Sequence, residues 1–509
     1  MDRRHFLQGL WGAAAGWSAG ARASDCSPDD WAWAFAAKAQ QHPRLEGFRG
    51  LSHDVPLVRM ALSGRLPKGL AGAFYRNGPA RHELGGYRYH HLFDGDGMVQ
   101  KYQIDEHGIT HFGRFVRTEK FLADTEAGRP VRGAFGTPLG CLQPVGSPDG
   151  VNTANISVIH HGGELMALWE GGSATVLDAQ SLETRGVKTW SEEFTAMPFS
   201  AHPKVEPDGT LWNFGVAGSH GVLAIYRISA AGQLQQAQII EVPRIAMMHD
   251  FAITERHLVF VLPPFLFDAE RRRSGHTFLD SHVWHPRQAM RVLVLDKNDL
   301  SRQRWFELPT GFVFHLGNAW EDRQGRKIHF DLARFADPSL AQQELHRLMR
   351  GEKVAGAPPE LATVELDLGS GRATQRLLPY TADFPRIDPR RVGRRHRDLF
   401  CALRSHANAA PWFDGVIRVN TESGSADRFV YPEGHMVEEH VFVPSPQAKG
   451  EGQGWLVGTA LDWRRHTMVF SVFDAQRLAA GPMAQASMPR TMPLGLHATF
   501  VPARSGQSS

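Results

Sequence analysis

Asp208-Gly209-Thr210-Leu211-Trp212-Asn213-Phe214 (residues 208–214) sets an Asp-Gly turn directly before a short run of apolar and β-favouring residues. That order is a hairpin signal. Comparable runs occur at 165–169, 257–261, 291–295, 327–330, 415–419 and 454–458. No long helical pattern separates them, so antiparallel sheets are expected rather than strands joined by crossover helices. At roughly 40–50 residues per repeat, the length accommodates about seven such units. The expected fold is therefore all-β, a seven-bladed β-propeller. Two segments of helical character, Asp29 to Gln40 and Ser339 to Gly351, begin with residues suited to helix starts and are read as peripheral caps.

The composition agrees with a large folded domain: 51 glycines and 31 prolines among 509 residues describe a chain rich in turns. A net charge of +3 leaves no cationic excess for a phosphate backbone, so no nucleic-acid partner is expected. The three cysteines, Cys26, Cys141 and Cys401, form no C-x-x-C pair and select no disulfide. Asp2-Arg3-Arg4-His5-Phe6-Leu7, a weakly apolar stretch and Ala21-Arg22-Ala23 read in order as a twin-arginine export signal with its cleavage site. Residues 1–23 are assigned to that signal and 24–509 to a single propeller domain, which places the mature protein in the periplasm or otherwise outside the cytoplasm. Beyond the signal no apolar run reaches the length needed to span a bilayer.

Four histidines stand in short apolar or glycine-containing settings: Ser200-Ala201-His202-Pro203-Lys204, Met247-Met248-His249-Asp250-Phe251, Phe314-His315-Leu316-Gly317 and Gly495-Leu496-His497-Ala498. Their separations exceed any single helix or hairpin, so each must arrive on its own element, as a radially repeated fold allows. Neutral imidazole suits iron, zinc, copper and nickel alike, and the histidines alone do not choose among them.

With Phe74-Tyr75-Arg76-Asn77-Gly78-Pro79, Leu92-Phe93-Asp94-Gly95-Asp96-Gly97-Met98-Val99 and Leu168-Trp169-Glu170-Gly171-Gly172, these phrases resemble the carotenoid cleavage oxygenase family from about Leu51 to Phe500. The resemblance implies a propeller whose metal site is covered by loops and short helices. It implies Fe(II) held by His202, His249, His315 and His497, which are then both ligands and catalytic residues. It also implies three carboxylates behind the ligands, matched to Glu170, Asp383 and Glu439, orienting His249, His315 and His497. Asp383 stands where the family carries glutamate, one methylene longer, which puts one of those hydrogen bonds in question. Glu438 leaves the third match uncertain by one residue. Asp94-Gly95-Asp96-Gly97 lacks the spacing of a calcium loop and is read as a structural turn.

The implied reaction is oxidative cleavage of a conjugated double bond by dioxygen. The substrate would be an apolar conjugated small molecule, a carotenoid or apocarotenoid, with a hydroxylated stilbene as the alternative. Ile156 is placed beside the metal, Phe265 and Phe267 at a tunnel mouth or membrane-surface contact, and Phe312, Phe314, Trp320 and Phe500 along the tunnel. Lys120, with Tyr87 or Tyr89, would hold a phenol if the substrate is a stilbene. Two further readings are a retinoid isomerase-like enzyme using iron as a Lewis acid, and a metal-free propeller that only binds carotenoid.

Overall fold

A computed structural model describes residues 27–218, 221–356, 358–409 and 411–503. The expected export signal and Cys26 lie outside the described residues. The fold is mostly β, and every strand-like run named above lies largely within a strand; for example 208–214 contributes the turn and start of Leu211–Ala217, and 291–295 lies within Met290–Asp296.

Among the described residues, six sheets have four or more strands. Three are four-stranded antiparallel meanders in chain order, built from Ser157–His161 to Thr184–Val187, Lys204–Val205 to Leu234–Glu241, and Phe251–Ile253 to Asp299–Leu308. A seven-stranded sheet runs from Phe312–Glu321 to Ala426–Val430. Its long strand Ala373–Arg386 pairs through Ala373–Thr381 with Glu360–Asp367 and through Ala382–Arg386 with Asp398–Leu403, so one strand serves two four-stranded units. Two five-stranded sheets each join strands from both ends of the chain. In one of them His497–Pro502 pairs with Gly72–Arg81, placing His497 opposite Asn77. This approach needs glycine: a Cβ on Gly78 would lie 2.6 Å from the Cα of Gly495.

The strand order explains how separated residues converge. His202 and His249 each sit two residues before the first strand of a meander, His315 lies in the first strand of the seven-stranded sheet, and His497 begins its strand.

The cap helices are present as Trp31–Gln41 and as a π turn, Leu340–Glu344, continuing into Leu345–Met349. A third helix, Glu119–Ala127, starts where the Thr118 hydroxyl accepts from Phe121 N and stops at left-handed Gly128. The Asp94 turn is structural: its carboxylate accepts from Phe135 N at 2.6 Å and from the Thr137 hydroxyl at 2.5 Å. Cys141 is disulfide-bonded and Cys401 is buried and free. No helix among the described residues is long and apolar enough to cross a membrane.

Candidate metal centre

The loop carrying His202 is pinned at both ends. Ser200 N donates to Phe214 O at 2.7 Å, and His202 N donates to the Ser200 hydroxyl at 3.0 Å. His315 sits where the register slips between Val313 and Leu316, a bulge that turns the side chain inward. One nitrogen from each of His202, His249, His315 and His497 lies within 4.8 Å of all the others. Nitrogens around a single ion, at about 2.0–2.1 Å each, stand roughly 3–4 Å apart, so the four fit one ion. His202 Nε2 and His249 Nε2 are already 2.8 Å apart.

Three carboxylates hold the outer ring nitrogens. His249 Nδ1 pairs with Glu170, His315 Nδ1 lies 2.7 Å from Asp383 Oδ1, and His497 Nδ1 lies 3.0 Å from Glu439 Oε1. Each contact fixes the tautomer that leaves Nε2 free to ligate. His315 Nε2 is buried with no hydrogen-bond partner, the condition of a ligand atom facing an ion. The shorter Asp383 thus reaches its histidine directly. It does so from a strand irregularity between Asp383 and Arg386, with Phe384 in the left-handed region at φ 56°.

Glu438 and Glu439 are both buried, and they do different work. Glu439 accepts from His497, from Ala498 N and, through both oxygens, from Arg386 at 2.8 Å. Glu438 instead pairs with Arg76, the Thr459 hydroxyl and Gly495 N, locking the chain ends together beneath His497.

His202 has no directly bonded carboxylate. Its Nδ1 is 4.0 Å from Asp250 Oδ1, whose oxygens are taken by Lys204 Nζ at 2.7 Å, Phe251 N at 2.7 Å and Leu316 N at 2.9 Å. Four carboxylates (Glu170, Asp250, Asp383, Glu439) against two cations (Lys204, Arg386) leave two negative charges around four imidazoles. A divalent cation held by the four rings would neutralise them. Burial first, then neighbouring imidazoles, holds His202 far below the ordinary histidine value, and burial holds His497 at about 4; burial would lower His315 too, but Asp383 outweighs it and raises that ring. Burial would also raise Glu439, but Arg386 and His497 outweigh it and hold the carboxyl at about 2.

Asp250, Lys204 and Arg386 were not among the sequence candidates. Each lies within three residues of one, and the need to balance buried charge is the signal that would have found them. Phe384, whose ring packs 4.9 Å from His315 and 5.2 Å from His497, had no comparable signal.

Two cavities meet at the histidines, sharing Phe93, Ile156, His249 and Phe314 in their walls. The outer one, about 400 Å³, includes Glu170, Met247 and Phe267. The inner one, about 70 Å³, touches His249, His315 and His497 and is almost wholly apolar. Ile156 and Phe314 line both cavities, and Phe267 lines the outer one.

Phe265, Trp320 and Lys120 line neither cavity, which corrects their assignment. Phe265 is covered by His282 and Phe312. Trp320 stacks on His329 with ring centres 4.1 Å apart, five residues along the strand from His315. Lys120 is fully buried, its Nζ 2.6 Å from the Tyr89 hydroxyl, 2.8 Å from Asp124 and 3.3 Å from Asp96. Tyr87, Tyr89, Phe312 and Phe500 are likewise absent from both walls.

The sequence profile of the family described as retinal pigment epithelial membrane protein matches residues 50–502. The chain is 27% identical over 496 residues to the apocarotenoid-15,15'-oxygenase of Synechocystis, covering 93% of this chain and 96% of that protein. It is 29% identical over 472 residues to the isoeugenol monooxygenase of Pseudomonas nitroreducens, with 88% and 95% covered. The crystal structure of cobalt-substituted Synechocystis ACO superposes with a TM-score of 0.82 at 26% identity, covering 91% of this chain and 99% of that one.

Proposed function

The chain belongs to the carotenoid cleavage oxygenase family, and from that premise we propose that it is an Fe(II)-dependent dioxygenase cutting a conjugated carbon–carbon double bond into two carbonyl products. The observation that carries the reading is the four-histidine cluster, three of its rings held by Glu170, Asp383 and Glu439, placed where two cavities meet. His202, His249, His315 and His497 would hold the ion. Bound there, iron(II) would supply the redox chemistry that lets dioxygen add across the alkene.

The chain's own contribution is position and exclusion of water. Ile156 and Phe314 wall both cavities beside His249; an extended conjugated chain laid across the histidine face would place its two arms in separate chambers. Phe384 packs against His315 and His497 and lines the inner chamber beside them. Carbon and oxygen balance simply: one C=C and one O2 give two C=O groups.

An apocarotenoid suits the larger outer chamber and the Synechocystis relative; an aryl alkene suits the isoeugenol monooxygenase relative, with its ring in the outer chamber and its short arm in the inner one. With Lys120 inside an ion network, the phenol-binding argument for a stilbene loses its residues. The architecture is read as a seven-bladed propeller formed by residues 24–509, counting the seven-stranded sheet as two blades that share Ala373–Arg386. Export by the twin-arginine route is supported by residues 2–23 and by a disulfide-bonded Cys141, since disulfides persist in oxidising compartments.

The test is metal analysis of the purified protein with turnover under isotopically labelled dioxygen. Near one iron per chain, with label in both carbonyl products, is expected. Conversion without label would replace this reading with Lewis-acid isomerisation, and failure to bind iron after anaerobic loading would overturn catalysis altogether.

A further inference from the structure

The inner chamber holds one feature at odds with its apolar walls. Arg404 lines it, is 7% exposed, and is the one lysine or arginine among the described residues of that wall. Its Nε donates to Trp412 O at 3.1 Å and its Nη2 to Pro411 O at 2.8 Å, which fixes the guanidinium plane. Among the described residues Nη1 has no hydrogen-bond partner. Three carboxylates act on it from nearby: Glu344 most strongly, whose buried Oε2 has no hydrogen-bond partner, then Asp383, bonded to His315, and Asp414, bonded to the backbone and hydroxyl of Ser405 at 2.7 Å. Among the described residues none of the three forms an ion pair with the guanidinium, which leaves Nη1 to the apolar chamber.

Size narrows what could bind there. The chamber, about 70 Å³, is several times smaller than the outer one, so it takes the shorter arm of a substrate that spans both.

Resting on the proposed oxygenase reading, we propose that Arg404 is a specificity-determining residue that binds a carboxylate at the end of the substrate's short arm, while the ring or polyene occupies the outer chamber. Arginine matches a carboxylate better than a hydroxyl or methyl, because charge-assisted hydrogen bonds in a dry site are the strong ones. The cut is then asymmetric. For an arylpropenoate, R–CH=CH–CO2⁻ and O2 give R–CHO and OHC–CO2⁻, with the oxoacid formed beside Arg404. Two sources share this chemistry, arylpropenoic acids and polyene acids, and they differ in the arm left outside.

The experiment measures binding by calorimetry, anaerobically, to the iron-loaded protein, using 4-hydroxycinnamate, retinoate and the methyl ester of each. Expected is at least tenfold tighter binding of an acid than of its own ester, a preference abolished in Arg404→Gln and kept in part by Arg404→Lys. Whichever acid shows the preference identifies the source. Esters bound as tightly as both acids by the wild-type protein would overturn the proposal without recourse to any variant. The Lys variant guards against Arg404→Gln losing the preference only because the carbonyl contacts at Pro411 and Trp412 are lost. Arg404-dependent acid binding without oxygen consumption would instead overturn the oxygenase reading and leave the carboxylate site standing.

Discussion

Asp383 Oδ1 stands 2.7 Å from His315 Nδ1, within a single hydrogen bond, although its side chain is one methylene shorter than a glutamate. The same oxygen also accepts from Phe384 N at 2.7 Å, so the carboxylate is held by its own backbone as well as by the ring. Replacement by Ala or Asn removes the charge that orients and enriches the imidazole. Asp383→Asn is expected to weaken iron binding by about 10–100-fold, the usual effect of losing such a partner, with the fold intact. Competition with a chelator, read by metal analysis, checks this. Iron retention equal to wild type would mean that His315 is oriented by its strand alone.

Lys120 and its partners form a buried network: Asp96 and Asp124 both pair with Lys120, and Asp96 pairs with the Arg81 guanidinium as well. Lys120→Met leaves charge uncompensated in the interior, a loss typically of about 3–5 kcal/mol. The folded fraction should nevertheless bind iron and substrate as wild type does, because Lys120 touches neither cavity. Chemical denaturation followed by a KM measurement separates the two effects. A raised KM at unchanged stability would return Lys120 to the substrate site.

Much of this site was legible in the chain. The hairpin runs, the four histidine phrases and the carboxylates at 170, 383 and 439 all lie where short sequence pattern carries the information. The failures share a different cause. Trp320 is near His315 in sequence, but at about 3.3 Å per residue five positions along an extended strand is about 16 Å of travel. Arg404 is far from every motif and enters the inner chamber only because Asp398–Leu403 pairs with the end of Ala373–Arg386. The helix Glu119–Ala127 has a local cap in Thr118, but two of its three buried residues, Lys120 and Asp124, are charged, so its buried face carries no apolar periodicity.

Glu321 offers a pH signature away from the metal. Burial would raise its pKa, but hydrogen bonds from His257 at 2.9 Å, from Thr254 and from Arg256 at 2.5 Å outweigh burial and hold it at about 2. A carboxyl whose folded pKa is depressed contributes stability that is present above its unfolded value, about 4.5, and is lost as pH falls toward 2. The difference in thermal midpoint between wild type and Glu321→Gln should therefore be largest near neutrality and narrow below pH 4.5. A difference constant from pH 6 to 3 would contradict the assigned network.

Ile156 belongs to the walls of both chambers, at the boundary between them. Truncation to alanine removes three carbons from a buried site, costing about 2–4 kcal/mol through lost burial and the cavity left behind. It also enlarges the small chamber at that boundary. Substrates with a bulkier short arm should gain kcat/KM relative to short-armed ones, while the position of cleavage becomes less uniform, since the conjugated chain can slide past His249. Product analysis over a series of alkenes graded by arm length reads both effects together. A uniform loss across the series would mean that Ile156 supports the histidine loops and does not meter the passage, and the division into a long-arm and a short-arm chamber would then rest on Phe93 and Phe314 alone.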